Sequence, residues 1–71
     1  MRFMRVSTAG SSAPARINPR HVLGLYAPAY STTEAPVTCV TTIAGAESDW
    51  HVEGTVAEIE AEWHAAMKEE P

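Results

Sequence analysis

The chain alternates between short runs of extended, apolar-rich sequence and small polar loops, and it closes on one helical pattern. Residues 2–7 supply Phe3, Met4 and Val6 and read as a first strand. Residues 8–15 are a Gly- and Pro-containing turn, after which Arg16 and Ile17 resume an extended path. Asn18-Pro19-Arg20-His21 predicts a capped single turn. Proline disfavours helix at the residue before it and suits the first position of a turn, while the Asn18 side chain can accept from amides ahead of it. Residues 22–26 predict a second strand in which Gly24 marks a bulge or a close backbone approach. Residues 28–36 form a second polar loop.

Residues 37–44 give the clearest strand, rich in β-branched side chains. Val37, Cys39, Thr41 and Ile43 share one face; Thr38, Val40, Thr42 and Ala44 share the other. Residues 45–48 turn the chain. Residues 49–53 predict a last strand with Trp50 and Val52 inward and His51 and Glu53 outward. Thr55-Val56-Ala57-Glu58 is a capping box, and Gly54 before it permits a sharp corner. The helix is expected over residues 56–68. Val56, Ile59, Trp63, Ala66 and Met67 fall within about 100° on a 3.6-residue wheel. One apolar stripe on one helix fits one layer of sheet. The expected fold is therefore α+β: a small antiparallel sheet of about four strands with a C-terminal helix packed on one face.

The order of these elements resembles the small flagellar and swarming-motility proteins of bacteria. The residues that carry the resemblance are Ile17-Asn18-Pro19-Arg20-His21-Val22, the strand from Val37 to Ile43, the Gly turn, the strand ending Val52-Glu53, and Thr55-Val56-Ala57-Glu58-Ile59. Short uncharacterised bacterial and phage proteins share the layout. The resemblance runs from about residue 3 to residue 63, and every matched position is a folding position. It implies the fold, together with a non-catalytic role in modulating motility. It departs in the longer loop from 27 to 36, the two tryptophans and the Ala-rich C-terminus.

Length and composition narrow the function classes. Seventy-one residues suffice for one small domain, residues 1–71, with a modest core. An apolar share of 45% and a charged share of 20% are ordinary globular values and argue against a wholly disordered chain. No apolar run reaches membrane-spanning length, and no secretory h-region follows the first residues, so a cytoplasmic protein without membrane insertion is expected. One cysteine excludes an internal disulfide framework.

Charge is unevenly placed. Arg2, Arg5, Arg16 and Arg20 stand among the first 21 residues with no acid, whereas Lys68 is the single basic residue among the nine acids of the remainder. The net charge of −4 argues against a general polyanion binder. Compensation within the fold is the plain reading, and contact between one copy's arginines and another's acids is the sharper one.

The chemistry-bearing residues form no catalytic motif. His21, His51 and His64 lack metal-ligand spacing, although Glu60 and His64 stand four apart on the helix. No cofactor motif and no metal motif is present. Cys39 would need an electropositive, partly exposed setting and a histidine to act as a nucleophile; His51 could reach it across the sheet. Glu58, Glu60, Glu62 and Glu69-Glu70 read as a solvated helix face. Trp50 and Trp63 read as core, with the anchoring of a partner by one of them as the alternative.

The expectation is a small regulatory or protein-interaction module without enzymatic activity, binding itself and a further protein. Both faces of the 37–44 strand carry apolar residues, and one helix covers only one of them. The expected contact residues are Arg2, Arg5, Arg16, Arg20, Tyr26, Tyr30, Val40 and Thr42. The second reading is a nucleic-acid-binding regulator that uses the N-terminal arginines; an enzyme comes third.

Overall fold

The computed structural model describes residues 1–45 and 49–69. Its elements run β1 (Met4–Ser7), β2 (Pro14–Ile17), a 3-10 turn (Pro19–His21), β3 (Val22–Tyr26), β4 (Val37–Thr42), β5 (Trp50–Glu53) and α1 (Val56–Lys68). The fold is α+β, with antiparallel strands and one C-terminal helix across them. The strands number five and form two ladders. β1 pairs with β2, and β3-β4-β5 form a three-stranded sheet. A bridge between Thr8 and Val52, with the Ala9 amide donating to the His51 carbonyl at 2.7 Å, lays the end of β1 beside β5.

Local sequence explains each junction. Asn18 caps the 3-10 turn: its side-chain oxygen accepts from the Arg20 amide at 3.0 Å, with Pro19 in the first position. The β3–β4 register shifts between Val22 and Gly24, so the glycine does mark a bulge. The capping box of α1 is complete. The Thr55 hydroxyl accepts from the Glu58 amide at 3.1 Å, and the Glu58 carboxylate accepts from the Thr55 amide at 3.2 Å. Gly54 turns the corner at φ +121°, a left-handed conformation that side chains disfavour. A Cβ there would also press on Ile59 Cδ1 at 3.3 Å.

The core lies between the strands and α1. Met4, Val6, Ile17, Val22, Val40, Val52, Ile59 and Ala66 are buried together, with Leu25, Trp50 and Trp63 packed against them. Thr38 is fully buried among these apolar groups, and its hydroxyl is satisfied by donating to the Gly54 carbonyl at 2.9 Å. The N-terminus is tied to the helix by the Arg2 amide, which donates to the Ala66 carbonyl at 2.9 Å.

Several expectations change. The first strand starts at Met4, β4 ends at Thr42, and β5 starts at Trp50. Ile43 and Ala44 already belong to the turn that follows β4. Of the turn expected over 45–48, residues 46–48 lie outside the described residues. Val40 and Thr42, expected as contact residues, are buried on the helix side of β4. The reason is register. Val40 stands opposite Trp50, and Thr38 opposite Val52, which turns this set of β4 side chains toward Ile59. The other set, Val37, Cys39 and Thr41, faces away from the helix.

Candidate functional site on the outer face of the sheet

The sheet face opposite the helix brings the chemistry-bearing side chains together. Tyr26, Cys39 and His51 are direct partners across β3, β4 and β5, so period-two alternation lines them in one row. The loop between β3 and β4 adds Tyr30. That loop is held by the Ser31 hydroxyl, which accepts from the Val37 amide at 2.9 Å, and by the Gly54 amide, which donates to the Pro36 carbonyl at 3.0 Å. Tyr30 folds back onto the sheet: its ring is parallel to that of His51, with centroids 5.8 Å apart, and its hydroxyl is hydrogen-bonded to His51 Nδ1.

Cys39 sits at the centre of this row. Its sulfur is 3.9 Å from His51 Nε2 and 3.9 Å from an Asp49 carboxylate oxygen. Tyr30, His51 and Cys39 therefore stand in the order orienting group, base and thiol. The sulfur is closed off from solvent. Cys39 is 1% exposed, so a substrate atom cannot reach the sulfur. The Cys39 sulfur pushes the Tyr26 phenol above its ordinary pKa, and the loss of solvent around the ring, Asp49 and Tyr30 act in the same direction. Among the described residues, no three His, Cys, Asp or Glu side chains are placed to hold a metal ion together.

Around the buried sulfur the two tyrosines are open to solvent. Tyr26 is 51% exposed and Tyr30 56%. Elsewhere on the chain, Leu23 on β3 and Ile43 just past β4 are more exposed still. The Ile43 amide donates to the His21 carbonyl at 3.0 Å, which continues the β3–β4 ladder past Val22.

The four arginines separate into different roles. Arg2 is compensated within the chain. Its guanidinium contacts Glu62 at 2.5 and 3.1 Å and Glu69 at 2.5 Å. These partners raise the Arg2 pKa further, Glu62 most. In return, Arg2 holds the Glu62 carboxyl below the usual carboxylate range, with the Arg5 amide assisting. Arg5 and Arg16 are direct cross-strand partners on β1 and β2, and both are exposed. Arg20 is exposed in the 3-10 turn. Of the expected contact residues, Tyr26 and Tyr30 come together on the outer face, and Arg5 and Arg16 come together on the hairpin. Arg2, Val40 and Thr42 are engaged internally.

Asp49 is the member of the outer row that sequence reasoning passed over. Its signal was its position two residues before His51 at the head of the last strand. Among the described residues, no helix is long and apolar enough to cross a membrane. No protein-family model matches the chain, and neither a curated protein nor a solved structure is significantly similar to it.

Proposed function

We propose that this chain is a non-enzymatic interaction module that assembles with a second copy of itself through the free edge of β3. The observation that carries the reading is the exposure of Leu23, 69%, and Tyr26, 51%, on a strand that, among the described residues, pairs with β4 alone. An unpaired strand edge offers backbone donors and acceptors to another strand, and exposed apolar side chains on the same strand add burial.

A second copy suits this edge because the central residue of β3 is a glycine. Gly24 is the central residue of Val22–Tyr26, so an antiparallel pairing about it puts no side chain at the point of closest approach. That pairing sets Leu23 of each copy opposite Leu25 of the other. The contact uses the same patch on both copies and closes as a dimer. The buried Cys39 sulfur supports a role without covalent chemistry. The regulatory, motility-related role implied by the resemblance, in the cytoplasm, belongs to the same reading.

Light scattering on the Leu23→Glu variant tests the proposal. The side chain is exposed, so the fold and its circular dichroism should be unchanged while two carboxylates are forced into the paired edge. The expected result is a dimer for the parent chain and a monomer for the variant. A folded variant that keeps the parent's mass would overturn the β3 interface.

A further inference from the structure

We propose that the outer face of the β1–β2 hairpin is a binding site for a small organic phosphate, held between Arg5 and Arg16 with Phe3 against its flat or apolar portion. Met4, Val6 and Ile17 are buried, so alternation sends Arg5 and Arg16 to the opposite face of the hairpin. The two arginines are paired directly across the ladder. Like charges in that position destabilise a sheet. Among the described residues, the ion pairs are those of Arg2 with Glu62 and Glu69, and neither the Arg5 nor the Arg16 guanidinium makes one. Glu62 is held by the Arg2 guanidinium and accepts from the Arg5 backbone amide at 2.8 Å, so its charge is shared between Arg2 and Arg5.

The ligand class follows from the geometry of the donors. A carboxylate fills the fork of one guanidinium with its two oxygens. A phosphate monoester has three terminal oxygens and a charge of about −1.5 to −2, so it can accept from two guanidinium groups at once and cancel the repulsion between them. Phe3 precedes Arg5 by two residues and lines one shallow concavity with Arg2, Arg5 and Arg16. It is 50% exposed and offers an aromatic face beside the charge. The net charge of −4 favours a small phosphate over a long polyanion, whose flanking charges would meet the acids of the rest of the chain. This site does not depend on assembly through β3.

The test is a nuclear magnetic resonance titration of the isotope-labelled full chain at constant ionic strength. The probes are adenosine monophosphate, inorganic phosphate and an oligothymidylate strand. Adenosine monophosphate should give saturable shifts at Arg5, Arg16 and Phe3; inorganic phosphate should shift the two arginines and leave Phe3 unmoved. Arg16→Gln and Arg5→Gln are exposed changes and should each weaken nucleotide binding by about tenfold or more, the scale of one charge-assisted hydrogen bond. Shifts that do not saturate, or that persist unchanged in both variants, would overturn the site. An oligothymidylate that binds more tightly than the mononucleotide would overturn the assignment to a small ligand.

Discussion

The indole N–H of Trp63 donates to the Pro19 carbonyl at 2.8 Å, tying the middle of α1 to the 3-10 turn that leads into β3. The ring is half-buried against the core, so one side chain both fills space and satisfies a turn carbonyl. Trp63→Phe keeps an aromatic ring and removes the donor; it should cost about 1–2 kcal/mol in urea denaturation. Trp63→Ala also removes the packing and should cost about 3–5 kcal/mol, enough to unfold a domain of this size. Equal losses for the two variants would mean that the hydrogen bond carries the whole effect.

The start of α1 depends on Thr55. Thr55→Ala should cost about 1 kcal/mol, read as a lower thermal midpoint. Because Glu58 and Thr55 satisfy each other, adding Glu58→Ala to that variant should cost less than Glu58→Ala does in the parent chain. Strict additivity would contradict the reciprocal cap.

Acid should weaken the link between the N-terminus and the helix. Arg2 holds the Glu62 carboxyl below its ordinary value, aided by the Arg5 amide. A depressed folded pKa contributes stability that is present above the unfolded value, about 4.3, and is lost as pH falls through the lower folded value. Thermal midpoints followed into acid should therefore fall less steeply for Glu62→Gln than for the parent. Identical acid limbs would show that the pair does not couple to folding.

Tyr26 gives the opposite sign at the alkaline end. Cys39 and its neighbours raise the phenol's pKa, which favours the neutral form in the fold. The associated stability is present below the unfolded value, about 10, and is lost as pH rises through the raised folded value. Cys39→Ala should return the Tyr26 midpoint toward the ordinary value in an absorbance titration. A midpoint that stays raised would assign the shift to the loss of solvent around the ring and to Asp49 and Tyr30.

The parts of the fold legible in the sequence are those written in local chemistry. Asn18-Pro19 gives the 3-10 turn, Gly24 the bulge, and Thr55 with Glu58 the helix start, because each rests on residues a few positions apart. The second strand was harder to see. Pro14 opens it and lacks a donor, a position that only a first residue or an edge strand tolerates, so its sequence reads as loop. The choice of faces on β4 was open because both alternating sets are apolar enough to be core, and only pairing with Trp50 and Val52 decides between them. The meeting of Tyr30 with His51 is a tertiary contact made by a loop, and no periodicity encodes it. The pairing of Arg2 with Glu62 spans nearly the whole chain. The uneven charge of the two ends announced it in kind without naming the partners.

Assembly through β3 is the central claim, and sedimentation of the unmodified chain at micromolar concentration tests it most directly, in low salt and again in high salt. Arg2 is neutralised internally and the β3 patch is apolar, so the contact should not be screened. The predicted result is a mass near twice 7.7 kDa in both conditions. A mass of 7.7 kDa in both would contradict the assembly, and a dimer that dissociates in high salt would contradict its apolar basis.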